Sequence, residues 1–143
     1  MNYTIKYESR WERYQPLVQQ YKDQLIFLGL TNDMQFMADF YAACDVLALT
    51  SDSECFALVQ VEAMLCGTPV VMTNTPGGRV PVQVTGMGKL TPQGDADAIG
   101  AAIVDVLDHP DQYRKPRAEI EQTFSFTETV DRYEQIFREN AVR

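Results

Sequence analysis

Histidine is almost missing from this chain, with His109 the single one in 143 residues. It precedes Pro110 in a polar turn and reads as surface, so no Ser-His-Asp arrangement is in sight and hydrolase mechanisms built on an imidazole base have little support. Cysteine is also scarce. Cys44, Cys55 and Cys66 show no C-x-x-C spacing, which argues against structural zinc or a disulfide framework, and they read as small buried side chains. Cations are in deficit, 12 Lys and Arg against 20 Asp and Glu, a net charge of -8. That is the wrong sign for gathering a polyanion by counterion release, so nucleic acid is not an expected partner. No run reaches eighteen apolar residues and Met1-Asn2-Tyr3-Thr4-Ile5-Lys6 has no apolar signal core. Neither a membrane span nor secretion is indicated, and the expected location is the cytoplasm.

What is present suits a core. Hydrophobic residues make up 45% of the chain, with seven Phe and seven Tyr, and the length is that of one domain spanning residues 1–143. No repeat, low-complexity tract or linker divides it. Tyr3 to Tyr7 alternates as a short strand would. Arg10 to Lys22 has a helical pattern, Trp11 on its packed side, that Pro16 should kink or restart. Gln24 to Gly29 reads as a buried strand, and Thr31-Asn32-Asp33 caps a helix to about Ala43 with Met34, Met37, Phe40 and Tyr41 at core spacing. Asp45 to Thr50 and Pro69 to Thr73 are continuous apolar runs of the kind found in parallel sheets covered on both faces. Thr73 to Pro81 is turn-forming, Gly86 to Thr91 is a last strand, and Asp95 to Leu107 is an amphipathic helix covering one face. A polar helix to about Gln122 follows. Ser125 and Glu128 form a capping-box pattern opening a final helix with Val130, Tyr133, Ile136 and Phe137 inward. The reading is an α/β, Rossmann-like, mostly parallel sheet of about five strands, helices on both faces and the C-terminal helices packed at the end.

The stretch from Ser51 to Pro69 joins the two buried runs and concentrates the chemistry. Ser51, Asp52 and Ser53 are candidate caps for a crossover helix whose free N–H groups and positive dipole end could receive a phosphate or carboxylate. Glu54 stands at the helix entrance and Glu62 eight residues on. Along a helix that is roughly 12 Å and about 80° past two full turns, so the two carboxylates would touch different parts of one elongated ligand. Two plainer readings stay open: Glu62 on a solvated stripe with Gln60, and Glu54 as an ordinary acidic residue of a first helical turn. Arg79, beside Gly77 and Gly78, is either a surface arginine or the cation that meets an anion there. The paired glycines let backbone approach a ligand or another loop.

Glu54-x7-Glu62, followed by Ala63-Met64-x-Cys66-Gly67-Thr68-Pro69-Val70-Val71, resembles the nucleotide-binding signature of family 4 retaining glycosyltransferases of the GT-B superfamily. Phe27-Leu28-Gly29-Leu30, Tyr41-x-Ala43-Cys44-Asp45-Val46, Pro76-Gly77-Gly78 and Gly88-Lys89-Leu90-Thr91-Pro92 supply the surrounding context in order. The resemblance covers roughly Gln24 to Phe137. It implies the C-terminal domain that holds a nucleoside-diphosphate sugar, the acceptor being bound by a separate N-terminal domain that this chain lacks. It also implies that Glu62 accepts from ribose hydroxyls and that Glu54 faces the transferred sugar as the catalytic residue. Ser53, Phe56, Ala57 and Leu58 would line the donor, and Gly29 and Leu30 would lie near the base; Arg79, Gly77 and Gly78 stay as the candidates read from the residues above. No metal or other cofactor is expected.

Two departures mark the chain. The family commonly has glycine where Cys55 and Ala57 stand. The strand and helix with which its C-terminal domain normally begins, and which carry an arginine and a lysine for the diphosphate, have no match upstream of Gln24. That missing strand would lie mid-sheet, so the expectation is a rearranged N-terminus or pairing with a second copy by strand exchange. Two functions follow as alternatives: the donor-binding part of a glycosyltransferase, inactive alone, or a non-catalytic nucleotide-binding or assembly module of the same fold.

Overall fold

The computed structural model describes residues 3–141, with side chains from Glu12 onward. It divides into two compact units, residues 1–32 and residues 33–143.

In the first unit, helix α1 runs from Tyr3 to Gln20, unbroken through Pro16. The strand expected at Tyr3 to Tyr7 is therefore helical, as is the segment where Pro16 should have forced a restart. A five-residue alternation beside a longer helical pattern is absorbed into it, because extending a helix costs less than nucleating a separate element. The Trp11 side chain lies outside the described residues. A single 3-10 turn, Lys22–Gln24, follows, and Leu25 is extended at φ -113° and ψ 129°. The strand expected over Gln24 to Gly29 does not form, and Ile26 and Phe27 are exposed. Extended apolar backbone becomes a strand only where a neighbour takes up its N–H and C=O groups.

The second unit opens with α2, Met34–Ala43, whose cap Asp33 accepts from the N–H groups of Gln35 and Phe36. Then come β1, Leu47–Leu49; α3, Leu58–Leu65; β2, Val70–Thr73; α4, Val80–Thr85; and β3, Gly88–Thr91. The sheet is parallel, ordered β1-β2-β3, with Leu47 opposite Val70 and Val70 opposite Gly88. It has three strands among the described residues, not about five. Every residue of β2 is buried, as its uninterrupted apolar run requires. Alternate side chains of β2 serve opposite faces. Val70 and Met72 join Tyr41, Ala63, Met64, Val82, Met87 and Ile120 in one cluster, while Val71 meets Ala102 and Val106 on the other.

That second cluster is covered by α5, Ala96–Asp108, capped by Asp95. At the entry end of β3 a clasp ties strand to helix. Lys89 and the Tyr113 hydroxyl both donate to Asp105, which holds its carboxyl below the usual range. Short helices α6, Pro110–Tyr113, and α7, Arg117–Thr123, follow. Ile120 of α7, in a segment that reads as polar, is completely buried. Helix α8, Phe126–Asn140, starts at Ser125, whose hydroxyl caps the Glu128 N–H as expected. The expected inward face of α8 is exposed instead. Val130, Tyr133, Ile136 and Phe137 are all exposed. Among the described residues, no helix is long and apolar enough to cross a membrane.

Candidate functional site

In an open parallel sheet the loops leaving the carboxyl ends of the strands converge on one edge, where ligands bind. Here they are the loop from Thr50 to Ala57 after β1, the loop from Asn74 to Arg79 after β2, and the segment from Pro92 to Asp95 after β3. The first is the longest and is held from every side.

Helix α3 begins at Leu58, later than the cap-like Ser51, Asp52 and Ser53 indicate. Those residues are occupied otherwise. The Ser51 hydroxyl donates to Glu54 Oε1 at 2.9 Å, and the Thr73 hydroxyl, at the end of β2, donates to the Ser51 carbonyl. Gln93 Nε2 donates to the Asp52 carbonyl at 2.7 Å. Glu54 is therefore a loop residue, half-buried and held by a hydroxyl. The separation calculated along a continuous helix does not describe the pair, since only Glu62 is helical.

Gly77 and Gly78 lie against that loop, as expected of paired glycines near Glu54. A Cβ on Gly77 would run into the backbone of Glu54 and Cys55, and one on Gly78 into Met72 and Thr75. Gln60 fastens the two loops together. It is completely buried, and its Nε2 donates to the Gly78 carbonyl at 2.7 Å and the Phe56 carbonyl at 3.4 Å. The solvated stripe in which Gln60 and Glu62 stand side by side is thus excluded for Gln60. Its Oε1 has no protein partner among the described residues. The Phe56 ring meets Phe124 edge-on, centroids 5.9 Å apart, which anchors the last turn of the loop to the end of α7.

The loop ends at Ala57, with φ 58° and ψ 75°, the only non-glycine residue with positive φ among those described. No side chain caps α3, so its first N–H groups have no side-chain partner and are available to an anion. Leu58, the first helical residue, is exposed, as are Ser53 and Cys55, the last against the expectation of a buried cysteine. Arg79, half-buried, is the residue from which α4 starts.

Glu62 stands exposed on α3 and accepts from the Tyr41 hydroxyl at 3.1 Å. Tyr41 itself is buried, and burial together with the Glu62 carboxylate raises its pKa. Gly29 and Leu30 belong to the first unit, where Gly29 takes a left-handed conformation and Leu30 is fully exposed. The structure thus gathers Ser51, Glu54, Phe56, Gly77 and Gly78 through Gln60 and Thr73, and ties Glu62 to Tyr41. Sequence reasoning missed the roles of Gln60, Thr73 and Gln93, and took Tyr41 for core alone. Of these links only the Ser51-x-x-Glu54 spacing, which imitates a capping box, carried any signal.

The model describing glycosyl transferases group 1 matches residues 8–123. A D-inositol 3-phosphate glycosyltransferase of Mycolicibacterium vanbaalenii is 37% identical over 114 residues, covering 73% of this chain and 25% of that protein. Among solved structures, sucrose-phosphate synthase from Thermosynechococcus elongatus superposes with a TM-score of 0.77 at 31% identity, over 92% of this chain and 34% of the other. HepE of Anabaena, solved in complex with UDP, gives 0.60 at 27% identity over 85% and 38%, and the same protein has also been solved with UDP-glucose. The chain spans about a quarter to a third of the length of the curated relatives it matches. With the family model matching most of its length and the carboxylate-bearing loop and helix inside the matched region, this chain belongs to the glycosyl transferases group 1 family.

Proposed function

We propose that this chain is the donor-binding part of a retaining glycosyltransferase of family 4 type, moving a sugar from a nucleoside-diphosphate sugar to an acceptor held by a separate domain. The observation that carries this reading is the arrangement of the two glutamates. Each is held by its own hydroxyl donor, Ser51 for Glu54 and Tyr41 for Glu62, and the uncapped start of α3 lies between them in the chain. Glu62 then accepts from the ribose hydroxyls and Glu54 faces the sugar. Backbone N–H groups at Phe56, Ala57 and Leu58 meet the diphosphate beside Ser53, with Arg79, Gly77 and Gly78 adjoining. UDP and UDP-glucose in the HepE structures support this class of ligand.

Catalysis in this reading is positioning plus electrostatics: charge developing on the leaving diphosphate is met by preorganised N–H groups, and the oxocarbenium-like sugar by the Glu54 carboxylate. No metal or cofactor takes part, and the site works in the cytoplasm. Calorimetric titration of UDP tests it. Wild type should bind, and Glu62→Ala should lose about tenfold or more in affinity, the scale of hydrogen bonds to a charged acceptor. Equal affinity in both proteins would remove Glu62 from the site.

Ala57 and the exposed Cys55 support a second reading, a non-catalytic nucleotide-binding module. The two part over the sugar. In a donor site Glu54→Ala should change the affinity for UDP-glucose, or another UDP-sugar, and leave that for UDP nearly unchanged, whereas in a module that reads only the nucleotide it should change neither. Either way the isolated chain should form no glycoside, because nothing in it is assigned to hold the acceptor.

A further inference from the structure

Tyr41 is fixed at both ends. Its ring lies in the core, 6% exposed, and its carbonyl accepts from the Thr68 hydroxyl in the turn that closes α3. The same hydroxyl reaches the Cys44 carbonyl at 3.3 Å, so the end of α2 and the exit of α3 are tied together. From this anchored frame the phenol hydroxyl emerges at Glu62 Oε2. A buried phenol needs a partner of some kind. This one has taken the carboxylate of an otherwise exposed helix residue. An exposed glutamate free to rotate must be ordered when it grips a ligand, at a cost of up to about 1.5–2 kcal/mol in side-chain entropy. Holding it beforehand removes part of that cost.

We infer that Tyr41 is a positioning residue for nucleotide recognition: its hydroxyl holds Glu62 Oε2 and so presents Oε1 to the ribose hydroxyls. This rests on the donor-site reading above. A phenol is protonated through the neutral range, and burial first, then the Glu62 carboxylate, raises the pKa of this one further.

The test compares UDP with 2′,3′-dideoxy-UDP by calorimetry on the full chain. Wild type should favour UDP. Tyr41→Phe, which keeps the ring in the core, should weaken UDP about three- to tenfold, part of the ordering cost that a held carboxylate avoids, and leave the dideoxy analogue unchanged. Equal weakening of both nucleotides would make Tyr41 merely structural, and no change in either would give it no role, so both outcomes overturn the inference. Absence of UDP binding by wild type overturns the donor-site reading and takes this inference with it. Should Tyr41→Phe fail to fold, tyrosine absorbance of wild type decides. UDP should perturb it while the dideoxy analogue and the Glu62→Ala protein show no such change, and an identical response to both nucleotides overturns the proposal.

Discussion

Ala57 occupies a backbone conformation that suits glycine. Left-handed φ brings Cβ against the following carbonyl and costs roughly 1–2 kcal/mol in an L-residue, yet glycine would lose about 0.4–1 kcal/mol through the freer unfolded chain. The steric term is the larger. Ala57→Gly should therefore stabilise the fold by roughly 0.5–1 kcal/mol, read as a denaturant midpoint shifted upward with an unchanged slope. A lowered midpoint would show that the loop has relaxed around the methyl group. The rest of the loop makes relaxation hard, because Ser51, Gln60, Gly77 and Gln93 all hold its backbone or its carboxylate. Of that bracing only the Ser51-x-x-Glu54 spacing and the paired glycines at Gly77 and Gly78 were legible in the sequence. Gln60 gave no sign of lying completely buried next to an exposed Glu62, since a polar residue on a helix announces nothing about the loops opposite.

Among elements, legibility followed whether the partner was part of the same pattern. β2 declared itself by an apolar run, α2 and α5 by Asp33 and Asp95, and α8 by Ser125, because caps and runs are local. Which face of a helix meets something is not local. α8 leaves its apolar side exposed, while α7 places Ile120 in the core against α3 and α4. Periodicity ranks these two helices in the wrong order. Ile120→Ala should cost about 2–5 kcal/mol, the cavity and transfer terms of a fully buried aliphatic, and Ile136→Ala less than about 0.5 kcal/mol, as for an exposed site. Urea unfolding of the two variants checks the pair. A cost at Ile136 approaching that at Ile120 would mean that α8 is covered in solution.

Taken as one molecule, the chain sets a negative field against a negative ligand, with 20 acidic and 12 basic residues and Arg79 the one cation assigned to the donor loops. The composition that argued against nucleic acid also bears on how a sugar nucleotide could be held: by N–H groups at the start of α3 acting at short range, against a long-range repulsion. Salt separates those terms. The Debye length shrinks from about 30 Å at 0.01 M to about 8 Å at 0.15 M, which mutes the field of the distant carboxylates far more than hydrogen bonds made in contact. UDP affinity should therefore hold or rise, by up to roughly two- to threefold, across that range. A site relying on a cluster of Lys and Arg would behave in the opposite sense and weaken steeply. Calorimetric titrations at the two ionic strengths decide between them. A steep loss of affinity with salt would mean that cationic side chains, and not the backbone at Phe56 to Leu58, neutralise the diphosphate.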